Sequence, residues 1–217
     1  MRGGYDLHTH STITDGEMLP TELIRRMAIL GYSTVAITDH ADYSNTPLLV
    51  EQLGRIRESA GLFGVRLLCG VEITHVPPEQ IPALAAAAKS AGADIVVVHG
   101  ETPVEPVAPG TNHAACTCDA VDILAHPGLI TNEDAEEAAK RDIALEITSR
   151  GGHNRTNGHV TRIAREAVCR LVINSDAHAP HDLLDERAKW MVSRGAGLTE
   201  EETRKALSLN IEDWLAK

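Results

Sequence analysis

Histidine and carboxylate side chains recur along the whole chain in short motifs that could bind metal ions. In the first, His8-Thr9-His10, the two imidazoles are two residues apart and would point to the same face of a β-strand. Mixed imidazole and carboxylate ligands suit Zn, Mn or Fe, and such ions activate water for hydrolysis. The sequence therefore predicts a metal centre formed by nine side chains: His8, His10, Asp15, His40, Glu72, His99, His126, Asp176 and His178.

These motifs recur at regular distances. Seven runs rich in β-branched residues predict strands at 5–10, 34–38, 66–71, 94–98, 122–125, 143–147 and 171–174. Runs that are apolar on both faces, such as 95–98, are typical of parallel strands that are covered on both sides. A metal-competent residue stands at or just past the end of each strand, with gaps of 20 to 32 residues: His10, His40, Glu72, His99, His126, Glu146 and Asp176.

Amphipathic stretches between the strands predict helices, so the chain repeats a strand–helix unit. We expect one α/β domain over residues 1–217, a distorted (β/α)7 TIM-like barrel with the metal residues at the C-terminal ends of its strands. An open doubly wound sheet is the alternative. The stretch 101–110 contains three prolines and predicts a long loop. The predicted helices are 20–30, 47–60, 79–91, 133–140, 156–169 and 200–216.

Composition and charge disfavour several classes of partner. The 217 residues include 20 Lys and Arg against 31 Asp and Glu, a net charge of −11, and 43% are hydrophobic. This composition supports a sizeable buried core. The acidic charge repels polyanions, and one Phe, three Tyr and two Trp offer few surfaces for base stacking. We therefore expect a small-molecule partner and expect neither nucleic acid nor a membrane surface; the sequence does not predict the oligomeric state.

The N-terminus and the cysteines indicate the compartment. The first seven residues lack the apolar core of a secretory signal, and no stretch is long enough to span a membrane, so we expect a cytoplasmic protein. The four cysteines form no C-x-x-C pair and are expected to be buried or free thiols. A metal role for Cys116-Thr117-Cys118 is disfavoured because thiols two residues apart lack the usual zinc spacing.

Taken in order, the motifs resemble those of the polymerase and histidinol phosphatase (PHP) family. The resemblance spans nearly the whole chain, and the family fold is a seven-stranded barrel, in agreement with the strand count above. The full ordered set is far more specific than a single Asp-x-His. The motifs are His8-Thr9-His10, Asp15, Thr38-Asp39-His40, Glu72, His99, Ala125-His126-Pro127 and Ser175-Asp176-Ala177-His178.

The resemblance implies a centre of up to three divalent ions (Zn, Mn or Fe), with Glu72 bridging two of them. Glu72, Asp176 and His178 are then the residues expected to serve catalysis most directly. The implied ligands are His8, His10, Glu72 and Asp176 for the first position, Glu72, His99 and His126 for the second, and Asp15, His40 and His178 for the third.

The implied activity is hydrolysis of a small phosphomonoester by a metal-bound hydroxide, with histidinol phosphate as the most natural substrate. A PHP-type nuclease or phosphodiesterase acting on nucleotides or short oligonucleotides is the alternative. An amidohydrolase ranks lower, because many of those enzymes bridge their metals with a carbamylated lysine and this chain has no lysine before Lys89. A non-catalytic metal-binding scaffold also ranks low.

Several loop residues are candidates for substrate contact. Arg150, His153 and Arg155 precede a predicted helix start and could receive a phosphate. Glu101 is expected to contact the organic part of the substrate, and it or Glu105 could pair with an ammonium group. Ordinary solvated loop residues are the alternative interpretation. Two further residues, Asp39 and Ser175, are expected to orient neighbouring ligands, and three histidines are expected at the surface or at helix caps: His75, His159 and His181.

Overall fold

The computed structural model describes residues 4–216 and shows a nearly closed barrel of parallel strands. The strand order is β1-β2-β4-β5-β6-β7-β8, with the short β3 beside β4. This order confirms the expected distorted (β/α)7 barrel. The strands are β1 (Gly4–Asp6), β2 (Tyr32–Ile37), β3 (His40–Ala41), β4 (Arg66–Ile73), β5 (Ile95–His99), β6 (Ile123–Ala125), β7 (Ala144–Thr148) and β8 (Leu171–Asn174).

The barrel closes at its mouth through the segments that follow β1 and β8. Strand β1 ends at Asp6, earlier than predicted, and Thr9 pairs in parallel with Ala177. The Asp176 amide donates to the His8 carbonyl at 3.0 Å, and the His10 amide donates to the Ala177 carbonyl at 2.8 Å. The first and last metal-binding motifs of the sequence therefore lie side by side.

Ten helices surround the barrel in the described residues. Two predicted helices are each broken in two: 47–60 at the end of α2, where Gly54 disfavours continuation, and 200–216 near Asn210, whose backbone is extended. Helices α5 and α8 were not predicted. The helices are α1 (Pro20–Ile29), α2 (Thr46–Gly54), α3 (Arg57–Leu62), α4 (Ile81–Ser90), α5 (Thr111–Cys116), α6 (Asn132–Lys140), α7 (Asn157–Ala167), α8 (Glu186–Gly195), α9 (Glu200–Leu207) and α10 (Ile211–Leu215).

The expected loop 101–110 joins β5 to α5 and is pinned at both ends. A carboxylate oxygen of Glu101 accepts hydrogen bonds from the amides of Gly110 and Asn112, each at 3.0 Å. The Asn112 side chain accepts from the Glu101 amide at 3.0 Å in return. The two ends of the loop are thus held together, and its middle projects over the barrel mouth, where Glu105 meets the end of β5.

The barrel interior is filled by alternate residues of the strands below the metal-binding side chains. Ile95 and Val97 are fully buried beneath His99, as the two-residue period of a strand requires. Helix α10 closes the opposite end with Ile211 and Trp214, which are 5% and 4% exposed. The four cysteines are free thiols, as expected. Among the described residues, no helix combines the length and apolar character needed to cross a membrane.

Candidate metal centre

The floor of the barrel mouth is formed by four buried side chains that were predicted to share one ion. His8 Nε2 lies 3.2 Å from Glu72 Oε1 and 3.7 Å from Asp176 Oδ1. His10 Nε2 lies 3.3 Å from the same Asp176 oxygen and 3.6 Å from Glu72 Oε2. Ligands about 2.1 Å from one tetrahedral ion are about 3.4 Å apart, so these separations suit a shared cation.

Glu72, near the end of β4, contacts imidazoles of all three predicted ligand sets. Its Oε1 is 3.2 Å from His8 Nε2 and 3.6 Å from His126 Nε2. Its Oε2 is 2.9 Å from His40 Nδ1. A carboxylate whose two oxygens face different histidines is suited to bridge neighbouring cations.

Asp15 contacts both histidines of the third predicted ligand set, at the open side of the mouth. Its Oδ2 lies 3.3 Å from His40 Nε2 and 3.2 Å from His178 Nε2. The ring of His178 stacks on that of His10 at 4.0 Å between centroids, which joins this set to the floor. The Asp15 side chain is 51% exposed, so solvent reaches the centre from this side.

His99 lies among histidines on the other side of the mouth. Its Nδ1 is 3.2 Å from the Gly100 carbonyl, which leaves Nε2 facing the mouth. Its ring is 4.5 Å from that of His126, and the His126 ring is 4.4 Å from that of His153. His153, a predicted substrate contact, thus lies among predicted metal ligands.

Two predicted ligands of the centre have an unusual backbone conformation. His126 and Asp176 have positive φ angles of 27° and 53°, a region that side chains other than glycine rarely adopt. The turn after His126 needs Gly128, at φ +60°, because a side chain there would collide with the Glu101 carbonyl. Such strain is characteristic of functional sites, where the surrounding structure enforces it.

Several buried polar atoms of the centre have no hydrogen-bond partner. An unpaired buried polar atom costs roughly 1–3 kcal/mol, so a group of them in one place needs a reason. Imidazole nitrogens and carboxylate oxygens are ligands for Zn, Mn and Fe, and these residues fit such ions. The unpartnered atoms are His8 Nε2, both ring nitrogens of His10, Glu72 Oε1, His126 Nδ1 and His153 Nδ1.

The charges in this cluster perturb one another strongly. Burial opposes a charge on His8, but the carboxylates of Glu146 and Glu72 outweigh it and raise the pKa of His8 well above its usual range. Burial raises the pKa of Asp176 to about 7. A divalent cation requires neutral imidazole and ionised carboxylate, so binding of such an ion would be coupled to pH.

Glu146, at the centre of β7, connects two predicted ligands and was not among the predicted site residues. Its Oε1 lies 2.8 Å from His8 Nδ1 and accepts from the Asn174 amide group at 2.9 Å. Its Oε2 accepts from the His126 backbone amide at 3.1 Å. The side chain is fully buried. In the sequence, Glu146 was marked only by its place in the series of metal-competent residues at strand ends.

Carboxylates next to the predicted ligands hold the loops that carry them. Asp39 accepts from the Ser11 amide at 2.8 Å and from the Thr14 hydroxyl at 2.8 Å, so it organises the turn that leads to Asp15. The Ser175 amide donates to Asp6 at 3.1 Å. Asp39 therefore orients Asp15 by holding the turn that precedes it. The Ser175 hydroxyl has no hydrogen-bond partner.

The other predicted substrate contacts are differently placed. Arg150 pairs with Asp182 at 3.1 Å, and the same carboxylate oxygen accepts from the His178 amide at 3.0 Å. Arg155 is exposed. Glu101 faces the backbone of its own loop, as described above.

Three histidines were expected at the surface or at helix caps. His75 contacts Glu105 at 3.0 Å, His159 Nε2 lies 2.8 Å from the Ile130 carbonyl, and the side chain of His181 is 81% exposed.

Comparison with known proteins places this centre in a family. The PHP domain model matches residues 6–195. The chain is 49% identical over 205 residues to an uncharacterised protein of Methanocaldococcus jannaschii, covering 94% of each. It is 28% identical over 221 residues to ribonuclease P protein component 3 of Methanosarcina mazei, covering 94% of this chain and 85% of that protein.

The fold is also that of a solved phosphatase. Histidinol phosphate phosphatase from Lactococcus lactis, complexed with zinc, L-histidinol and phosphate, superposes with a TM-score of 0.64 at 14% identity, covering 91% of this chain and 95% of that one. At this identity the likeness concerns the fold. The match to the PHP model over most of the sequence shows that the chain belongs to the PHP domain family of metal-dependent phosphoesterases.

Proposed function

We propose that this protein hydrolyses a small phosphomonoester, with histidinol phosphate as the first substrate to test. The observation that carries the proposal is the convergence of the nine predicted ligands around Glu72, in a mouth that is open beside Asp15. Divalent ions held there would supply a nucleophilic water at neutral pH and neutralise charge on the phosphoryl oxygens.

The chain's own residues would hold this arrangement in place. Glu72 keeps the three ligand sets together, and Asp176 joins His8 to His10 on the floor. His178 and Asp15 form the side that a substrate would approach. The pair between Arg150 and Asp182 steadies the turn carrying His178, because Asp182 also accepts from that turn's backbone.

The surroundings of the mouth favour a small ester over a polymer. The floor residues are at most 3% exposed, whereas Asp15 is half exposed, so a terminal phosphoryl group can reach the centre from one side. The net charge of −11 opposes binding of a long polyanion. Arg150 is already paired with Asp182, so the exposed Arg155 is the remaining arginine of that loop that could contact an anion.

A nuclease is the second candidate function. It is supported by the similarity to ribonuclease P protein component 3 of Methanosarcina mazei, which extends over 94% of this chain. A single strand could approach along the Asp15 side and present its terminal phosphate. Under this second candidate function, the protein would also bind an RNA or a protein partner. Both candidate functions require the same metal centre.

A substrate panel distinguishes the two candidates. Protein reconstituted separately with Zn, Mn and Fe is assayed on histidinol phosphate, p-nitrophenyl phosphate, single-stranded RNA and single-stranded DNA. The proposal expects phosphate release from the monoesters and competitive inhibition by inorganic phosphate. Faster release of nucleotides from RNA or DNA overturns it in favour of the nuclease. Metal binding without turnover on any substrate would favour the scaffold.

A further inference from the structure

His153 and Glu105 stand outside the nine residues expected to bind metal, yet both reach into the group around His99. We propose that His153 is an additional ligand of the second metal position and that Glu105 closes this position from the loop above. The inference rests on the metal centre of the proposed function and adds two ligands to it. The second position would then be covered by the loop 101–110.

The arrangement of the rings supports His153 as a ligand. One ligand atom from each of His99, His126 and His153 lies within 4.8 Å of the others, and all three residues are buried. Neighbouring ring centroids are 4.4 and 4.5 Å apart. Three imidazoles packed this closely suit a shared cation, because histidine nitrogens are common ligands of zinc.

Unpartnered atoms give a second, independent observation. His153 is 7% exposed, and its Nδ1 has no hydrogen-bond partner. His126 Nδ1 on the neighbouring ring is also buried and unpartnered. A substrate contact is expected to face the open side at Asp15, whereas His153 sits against His126. His153 is therefore better placed to bind a metal ion than to make the phosphate contact that its position in the loop had suggested.

Glu105 approaches the same group from outside. Its Oε2 lies 3.2 Å from His99 Nε2 and 3.0 Å from His75 Nε2, and its Oε1 lies 3.3 Å from His153 Nε2. A carboxylate in contact with three imidazoles offers an oxygen ligand to a cation held between them. Its side chain is 39% exposed and covers the more deeply buried histidines.

The loop that carries Glu105 packs against the turn that carries His153. A side chain added at Gly152, which has a φ of +90°, would come within 3.2 Å of Val104. The loop 101–110 therefore lies directly on the turn that carries His153. Because Glu101 pins both ends of this loop, the second ion should be unable to leave until the middle of the loop lifts. The position beside Asp15 has no such cover.

The inference is tested by metal release. Protein loaded with Zn²⁺ is mixed with excess chelator, and zinc transfer to a chromophoric indicator is followed with time. We expect wild type to show a slow phase that His153→Ala and Glu105→Gln each accelerate at least about tenfold, the scale on which metal sites respond to losing a partner. Two matched controls, His159→Ala on α7 and Glu79→Gln in the 3-10 helix Pro78–Gln80, should keep the wild-type rate.

A crystal of the zinc-loaded wild type gives a readout that does not depend on folding of the variants. An anomalous peak within about 2.5 Å of a His153 ring nitrogen is expected. A peak bound to His99 and His126 but more than about 3.5 Å from His153, or unchanged release in both variants, overturns the inference. Absence of phosphatase activity contradicts the proposed function, whereas these metal measurements retain their meaning.

Discussion

His8 and Glu146 form a fully buried hydrogen-bonded pair, with His8 Nδ1 2.8 Å from Glu146 Oε1. A neutral His8 must then carry its proton on Nδ1, which leaves the Nε2 lone pair directed at Glu72 and Asp176. Carboxylates that fix the tautomer and orientation of a metal-binding histidine in this way raise its basicity. Glu146 is therefore a positioning residue for the metal centre.

Glu146→Gln should weaken metal binding by about 10- to 100-fold. The amide that replaces the carboxylate can accept at only one of its two terminal atoms, so either His8 or the His126 amide loses its acceptor. Competition with a chromophoric chelator measures the affinity. Glu133→Gln, an exposed position on α6, is the matched control and should bind metal like wild type. Equal affinities in the two variants would contradict the role assigned to Glu146.

Glu72→Gln should reduce turnover by at least about 100-fold, the scale on which losing one electrostatic group acts at an active site. The neutral amide cannot offer both oxygens to neighbouring cations. Initial rates with saturating metal and p-nitrophenyl phosphate provide the measurement, and thermal unfolding of the metal-free protein checks that the variant remains folded. Wild-type turnover in a folded variant would exclude the bridging role.

Glu202 should stabilise the fold in a pH-dependent way. Hydrogen bonds from Arg165 and from the Thr199 amide lower the pKa of Glu202 from its ordinary value of 4.5 to about 2. A lowered carboxyl pKa means that the stabilisation is complete above pH 4.5 and is lost as the pH falls towards 2. Because the side chain is 35% exposed, we expect Glu202→Gln to cost only about 1 kcal/mol at pH 7.

Urea unfolding of wild type and Glu202→Gln at several pH values between 7 and 3 checks this expectation. The difference in unfolding free energy should shrink steadily below pH 4.5. A difference that stays constant across this range would show that the charge of Glu202 does not contribute to stability.

Trp214→Ala should lower the free energy of unfolding by about 3–5 kcal/mol, as expected for removing a buried tryptophan. Trp214 is 4% exposed and closes the end of the barrel opposite the metal centre. Urea unfolding provides the measurement. Trp190→Ala, which removes a half-buried tryptophan on α8, should cost less. A similar cost at both positions would mean that α10 does not complete the barrel core.

The fold class followed from local signals in the sequence. Strands such as β5 are apolar on both faces, and this pattern does not depend on the rest of the chain. The regular return of a histidine or carboxylate at each strand end then places these residues together, because parallel strands of a barrel end on one face. Helix breaks near Gly54 and Asn210 escaped prediction because single residues interrupt otherwise continuous amphipathic patterns.

The sequence by itself determined the barrel and the nine candidate ligands, because strand period and spacing are encoded locally. Only the tertiary structure decided how the neighbouring groups are used: Glu146 beside His8, Glu105 among three histidines, and Arg150 on Asp182. Apart from the contact between Glu105 and the nearby His99, these contacts join residues that are 30 or more positions apart, and their geometry depends on how the loops pack over the mouth. Spacing along a chain records which strand a residue follows, but not which side chain from another loop it will meet.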